Sequence, residues 1–399
     1  MNCQSRIFWT SIAATLALVS SAKWATPDSN VPIDRLIQIS EKRLRANPKD
    51  HEALFLLGRL YSLSYALNRK TVDVFLPREK GDLPEFPSTQ SLQVPRTADK
   101  PPTRSDLRNL ERSLDYYSQA KSLAPGNQLY RFALVWTTVA AARYASKIKW
   151  KSAPQPNTAL GYLKSALASF RQIYRDTKAT DLRSHKRYEV ADAYLSQESG
   201  ELILKLAQMK GLGGFQPGEK QDIVKTIAAC KTMRRGITPI IFPVDGGGFD
   251  GLINESAAAK FDLNGFNDGS KWPWVTRKAG ILCWDPESTG RITSGRQLFG
   301  NSTFWMFFKD GYAAMASLDD DQNGWLEGKE LKGISVWIDN NENAVSEQGE
   351  VTPATAYGIT RINTQVGDTF NSMPVQLNGI HLKNGQNLPT YDWTPISKP

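Results

Sequence analysis

Side chains that carry oxygen recur at every second residue from Asp319 onwards. In the twelve-residue window DDDQNGWLEGKE they fill positions 1, 3, 5, 9 and 12, and the backbone carbonyl of position 7 adds one more oxygen. A calcium ion takes six to eight oxygens at about 2.3 to 2.6 Å, so a wrapping chain needs this spacing and a closing carboxylate with two oxygens. Gly324 at position 6 tolerates the positive φ of a tight turn. The window predicts a calcium site formed by Asp319, Asp321, Asn323, Trp325 through its carbonyl, Glu327 and Glu330.

A second window, DNNENAVSEQGE, repeats the spacing 20 residues later. Its predicted ligands are Asp339, Asn341, Asn343, Val345 through its carbonyl, Glu347 and Glu350. Ala344 replaces the glycine at position 6, where a left-handed conformation costs a residue with a Cβ about 1 to 2 kcal/mol. Ser346 replaces the usual aliphatic residue at position 8 and removes an apolar contact that would brace one loop against the other. We therefore expect the second site to be weaker.

A single acidic, Asn-rich window with loose spacing would favour a solvated turn. Two windows in register, each with Glu at position 12, favour calcium binding instead.

A longer segment, about residues 255 to 395, resembles the EF-hand-like calcium-binding domain of large secreted bacterial proteins. The stretches that carry the resemblance are KFDLNGFNDG, WDPESTGRITSGRQLFGN, KDGYAAMASLDDDQNGWLEGKEL, VWIDNNENAVSEQGEV and YDWTPI. The resemblance implies a further loop at Asp285, continued by Glu287, Thr289 and Gly290, but Gln297 stands where the pattern has its closing acid. Because that change removes a charge and the bidentate grip, we favour a loop without an ion there. FDLNGFNDG has Phe266 at a ligand position, which favours a structural turn.

The first 22 residues have the features of a secretory signal peptide: Arg6, an apolar run from Ile7 to Val19, and small residues up to Ala22. The apolar run is shorter than the roughly 20 residues that span a bilayer. We therefore predict a protein that is exported, to a periplasm or out of the cell, without a transmembrane segment. Cleavage would remove Cys3 and leave Cys230 and Cys283, which could pair, although two buried free thiols are favoured.

Residues 31–210 are predicted to form helices that resemble a tetratricopeptide repeat in two places. The pattern of the first helix of such a repeat occurs at Leu54, Leu57, Gly58 and Tyr61. A Pro-rich insertion at 68–105 then delays the second helix, whose pattern is Ser113, Tyr117, Ala120 and Pro125. Small Gly58 would allow the partner helix to approach closely.

Residues 211–240 are expected to form a linker with one helix, with a boundary near Gly236, and 241–399 the calcium-binding domain. Within it, Asp310 is expected to cap a helix, Ile334, Val336 and Ile338 to form a strand, and Thr352 and Pro353 to open a short helix. The predicted fold is multi-domain: an N-terminal α-helical, tetratricopeptide-like domain, and a C-terminal α+β domain with EF-hand-type calcium loops.

The net charge of +9 is unevenly distributed along the 399 residues. Residues 319–350 contain nine acids and two lysines, a local charge of −7, so the remainder carries +16. A basic body suits an anionic partner such as lipid headgroups, acidic glycans or acidic peptides, or simply a solvated surface. Scattered Lys and Arg residues do not predict nucleic-acid binding.

Catalytic signatures are missing from the sequence. The three histidines, His51, His185 and His381, lie in unrelated contexts, and no HExxH or GxSxG pattern is present. The leading hypothesis is an exported, non-enzymatic protein with a structural Ca²⁺ and a helical-repeat surface for a protein or peptide. The alternatives are a dockerin-like docking module, disfavoured by Glu at both twelfth positions, and an exported glycan hydrolase stabilised by calcium.

Overall fold

A computed structural model describes residues 31–67, 71–72, 101–149, 158–183, 195–232, 237–264 and 269–398. The predicted signal segment 1–22, most of the Pro-rich insertion, His185, Gly236 and Phe266 lie outside the described residues.

Seven helices of the described chain precede the sheet. They are α1 (Ile33–Ala46), α2 (His51–Leu67), α3 (Arg104–Leu123), α4 (Gln128–Ala142), α5 (Ala159–Asp181), α6 (Leu195–Leu206) and α7 (Glu219–Thr232). Two short strands, β1 (Val31–Pro32) and β2 (Thr71–Val72), pair antiparallel beside them. The predicted N-terminal helical region is thus present, and α7 is the helix expected within residues 211–240.

Helices α2 and α3 pack closely around Gly58. A Cβ at Gly58 would lie 2.5 Å from the ring of Tyr117, so only glycine leaves room for this aromatic side chain. The hydroxyl of Ser113 donates to the Gly58 carbonyl across the same contact at 2.8 Å. Thr103 starts α3 with a capping box, in which its side chain and that of Asp106 each accept the other residue's backbone N–H. The close approach that Gly58 predicts is present.

The C-terminal part contains a nine-stranded antiparallel sheet among the described residues. Its strands are β3 (Ile240–Pro243), β6 (Ala279–Trp284), β7 (Trp325–Glu327), β8 (Ile334–Trp337), β9 (Val351–Pro353), β10 (Ile359–Asn363), β11 (Asp368–Phe370), β12 (Met373–Leu382) and β13 (Asn387–Asp392). They lie in the order β7-β10-β12-β13-β3-β6-β8-β9, with β11 on β12. A separate hairpin pairs β4 (Ile253–Ala259) with β5 (Trp272–Val275).

The central strands β3, β6 and β8 are buried on both faces of the sheet. Alternate residues of a strand point to opposite sides and so enter different cores. Ile240 and Phe242 belong to an apolar cluster that also contains Leu36 of α1 and Leu60 of α2. Ile241 belongs instead to a second cluster, built with Trp272, Trp274, Trp337 and Trp393. One face therefore shares its core with the helices, and the other packs against the β4–β5 hairpin.

Short elements frame the acidic segment much as the sequence predicts. Asp310 caps α8 (Gly311–Ala316) and accepts the N–H of Ala313 at 2.7 Å. Strand β8 covers the predicted strand up to Trp337. Helix α9 (Ala354–Tyr357) begins one residue later than expected, with Pro353 as its N-cap and the last residue of β9.

Cys230 and Cys283 are both buried, and neither forms a disulfide bond. Burial raises the pKa of the Cys283 thiol well above its ordinary value, so this thiol is unreactive at neutral pH. Among the helices that the structure describes, none combines the length and the apolar character needed to cross a membrane.

Candidate metal centre

The first loop, residues 319–330, joins α8 to the sheet. Its second half forms the edge strand β7, where Leu326 pairs with Ile362 of β10, and it ends in a 3-10 helix at Gly328–Leu331. Gln322 and Gly324 have φ values of 65° and 86°. These two left-handed positions fold the first half of the loop back on itself.

Three carboxylates converge in the first loop. Asp319, Asp321 and Glu330 each place one oxygen within 4.8 Å of the others, and Asp319 and Glu330 are only 4% and 3% exposed. The hydrogen bonds to the two buried carboxylates come from backbone N–H groups: Gln322, Asn323 and Gly324 for Asp319, and Asp320, Asp321 and Glu327 for Glu330. Buried acids normally have a cationic partner, so this cluster fits a hard divalent ion, which takes oxygen ligands.

Electrostatics at this cluster favour a neutral or ion-bound form. Burial raises the pKa of Asp319, and the charge of Asp321 acts in the same direction against the backbone hydrogen bonds. Burial likewise raises the pKa of Glu330, with a contribution from Asp319. Each acid therefore holds a proton more tightly than it would in water unless another positive charge replaces that proton.

The exposed half of the first loop is arranged around Asn323. Its amide nitrogen lies 3.3 Å from Asp321 Oδ2 and 3.3 Å from Glu327 Oε1, while its oxygen accepts the Trp325 N–H at 2.8 Å. The side chains of Asp321, Asn323 and Glu327 thus lie together on the exposed half of the loop.

Helix α1 holds the first half of the first loop from the outside. Arg35 donates from Nε and Nη2 to the two oxygens of Asp320, and from Nη2 to the Leu318 carbonyl. Lys42 Nζ donates to the carbonyls of Asp320 and Asp321 at 2.9 and 2.8 Å. Sequence reasoning missed these contacts, because they join residues almost 300 positions apart.

The second loop, residues 339–350, repeats the internal bonds of the first. Asp339 accepts the N–H groups of Asn343 and Ala344, and Glu350 accepts those of Asn340 and Glu347. The side chains of Asn341 and Asn343 both donate to Glu347. Val345 is 56% exposed, and its N–H donates to Asn343 Oδ1. Asn341 stands where the first loop has Asp321, so the proposed ligand set of this loop contains three acids against four in the first.

Two further features distinguish the second loop. The indole N–H of Trp274 on β5 donates to Asp339 Oδ2 at 2.6 Å, a contact that nothing in the loop's own sequence signals. Ala344 has a φ of 63°, the left-handed conformation expected to be strained for a residue with a Cβ.

The Asp285 loop, residues 285–297, follows β6. Asp285 is buried and accepts the N–H and hydroxyl of Thr289 and the N–H of Gly290. Glu287 is exposed. Ser346 of the second loop accepts the Ile292 N–H at 2.8 Å and donates to the Ile292 carbonyl at 3.2 Å. The hydroxyl of Ser346, at position 8, thus braces the second loop against the Asp285 loop and not against the first loop.

The described histidines lie apart from each other. His51 Nδ1 is 3.1 Å from the Tyr130 hydroxyl in the helical region. His381 lies on β12 beside Arg361, which stacks on Trp325 at 4.2 Å. Neither belongs to the acidic cluster.

Part of this chain matches the model of a known protein family. Residues 240–385 match the family model of the SPM domain, and this range covers all three loops and every strand of the sheet except β13.

A protein relative overlaps part of the chain. The iron-regulated protein FrpA of Neisseria meningitidis serogroup C is 28% identical over 141 residues, covering 34% of this chain and 13% of FrpA. The chain thus corresponds to a small part of that relative's length.

Proposed function

We propose that this chain is an exported protein that binds Ca²⁺ in its first and second loops, where the ion has a structural role. The observation that carries the proposal is the group of Asp319, Asp321 and Glu330, whose oxygens lie within 4.8 Å of one another. Their proposed companions in the first loop are Asn323, Trp325 and Glu327.

The ion's proposed role is to neutralise carboxylates that otherwise repel each other. It would also fix a segment that leads from α8 into the edge strand β7. Extracellular calcium modules bind at about 10⁻⁴ to 10⁻³ M, close to the calcium level outside cells, so constant occupancy suits a structural ion. The family match and the relative carry no statement about calcium, so the proposal rests on the loops themselves.

The helical region is proposed to bind a protein or peptide. Support comes from the α2–α3 pair, whose packing around Gly58 agrees with the tetratricopeptide-like pattern. The positive charge outside residues 319–350 would favour an acidic partner or another anionic surface component. Export rests on the N-terminal apolar run alone.

A dockerin-like role receives no support from the described residues. The segment between the two loops, residues 331–338, contains the last residue of the 3-10 helix and strand β8, which pairs with β6 and β9 within the sheet. This segment offers no free docking helix.

Terbium luminescence tests the calcium proposal on the full chain. Terbium replaces calcium and is excited by nearby tryptophan, and Trp325 lies in the first loop while Trp274 touches Asp339 of the second. We expect luminescence that calcium competes away, and loss of the first-loop part in Glu330→Gln. Asp368→Asn, an exposed acid on β11, is the control. Luminescence that is equal in wild type and in Glu330→Gln would refute the assignment of the first loop.

A further inference from the structure

The Asp285 loop has the same backbone shape as the two proposed calcium loops. Each loop has positive φ at its fourth and sixth residues: Ser288 and Gly290, Gln322 and Gly324, Glu342 and Ala344. In each, the first aspartate accepts N–H groups from the fifth and sixth residues. The three segments are therefore one structural unit used three times.

The closing residue distinguishes the Asp285 loop. In the first and second loops a carboxylate oxygen of Glu330 or Glu350 accepts the N–H of the ninth residue, at 3.2 and 3.0 Å. Gln297 Oε1 accepts the N–H of Thr293, the ninth residue here, at 2.9 Å. Gln297 thus reaches the position of the closing acid from one residue further along the chain.

The nitrogen of the Gln297 amide makes the backbone contact that a cation would make in a calcium loop. Its Nε2 donates to the carbonyl of Arg291, the seventh residue, at 3.0 Å. That carbonyl is the backbone ligand in a calcium loop of this type. The orientation of the amide is unambiguous, because the Thr293 N–H can only donate and the Arg291 carbonyl can only accept.

The Asp285 loop is also the partner of the second loop. Ser346 and Ile292, the eighth residues of the two loops, exchange hydrogen bonds in both directions. Ile292 is buried, so this contact is anchored in the apolar cluster of Trp274 and Trp337. The second loop thus rests on a neighbour that keeps its shape through internal hydrogen bonds.

We infer that the Asp285 loop is an ion-free counterpart of the calcium loops, which keeps its shape through the hydrogen bonds of Gln297. This loop in turn holds the second loop in its binding shape. The inference rests on the proposed function for the second loop only. A separate claim concerns the Asp285 loop itself. Exchanging the amide nitrogen of Gln297 for a carboxylate oxygen converts this loop into a third cation site. The exchanged oxygen would join those of Asp285, Glu287, Thr289 and the Arg291 carbonyl.

Ion counting by native mass spectrometry and calcium titration calorimetry tests this claim on the full chain. We expect Gln297→Glu to bind one calcium ion more than wild type, and to be less stable than wild type in chelator, because a carboxylate cannot donate to the Arg291 carbonyl. Gln376→Glu is the matched control, since Gln376 also donates to a carbonyl, that of Gln365, and accepts an N–H, that of Asn378, outside the acidic loops. It should bind the same number of ions as wild type.

Three outcomes would overturn the inference: an unchanged ion count in Gln297→Glu, a wild type that already binds three ions, or a variant that does not fold in millimolar calcium. These outcomes differ from failure of the proposed function, in which wild type binds no ion.

Ser346→Ala tests the bracing role separately. Loss of the two hydrogen bonds to Ile292 should weaken the second site about three- to tenfold while leaving the first site unchanged. Equal affinities of wild type and Ser346→Ala at the second site would show that the contact does not shape that site.

Discussion

The acidic cluster of the first loop should make the protein's stability depend on calcium. One oxygen of Asp319 lies within 4.8 Å of one oxygen of Glu330, so the two carboxylates repel by about 3.5 kcal/mol at an effective dielectric constant of about 20 when both are ionised. An ion bound at a dissociation constant of about 10⁻⁴ M adds about 1.8 kcal/mol of stability per site in 2 mM calcium. For a chain of this length, that corresponds to a rise in Tm of about 2 °C per site.

Chemical denaturation in chelator and in calcium measures this increment. Glu330→Gln should lose the gain in unfolding free energy that comes from calcium in the first loop, and Glu350→Gln the gain from the second loop. The double variant should lose both gains. Asp368→Asn should keep the full increment, because this acid lies on β11 outside the loops. Equal unfolding free energies of wild type in chelator and in calcium would refute the reasoning.

The same cluster predicts the sign of a pH effect. Because the pKa values of Asp319 and Glu330 are raised in the folded chain, the folded state holds their protons more tightly than the unfolded state. Without calcium, stability should therefore fall as the pH rises above about 4 and through the folded pKa values. Calcium should restore stability at neutral pH and have little effect in acid. A calcium increment that is as large at pH 4 as at pH 7 would contradict this account.

Three further predictions concern sites outside the ligand set. Burial raises the pKa of Asp392 to about 8, so stability should fall as the pH rises from about 4 to about 8, and Asp392→Asn should flatten that slope in denaturation at several pH values. Gly58→Ala places a Cβ 2.5 Å from the Tyr117 ring and should lower the unfolding free energy by about 1 to 3 kcal/mol, measured by denaturant titration; an unchanged midpoint would argue against tight packing there. Arg35→Met breaks the pair with Asp320 and should speed amide hydrogen exchange in the first half of the first loop, whereas Arg45→Met, an exposed change on the same helix, should not.

Local features of this chain could be predicted from the sequence because their physics is local. The loop spacing depends on the reach of side chains from consecutive residues, and Asp310, Gly58 and the alternation at Ile334 to Ile338 act within one element or one contact. The helical N-terminal region likewise followed from the periodicity of apolar residues along the chain.

Contacts between distant segments could not be predicted in this way. The pairing of the second loop with the Asp285 loop depends on a sheet order in which β6 and β8 are neighbours. The Trp274 bond to Asp339 depends on a hairpin that packs across the sheet. Ser346 therefore suggested a missing apolar contact, whereas its hydroxyl makes a polar one.

The core shared by Leu36, Leu60, Ile240 and Phe242 has a practical consequence for anyone dividing this chain. A fragment that starts at the sheet would expose the apolar face that the helices cover, and a fragment that ends before it would expose the matching helical face. Each piece would tend to aggregate, so recombinant fragments cut between the two regions are poor reagents for assigning separate activities to them.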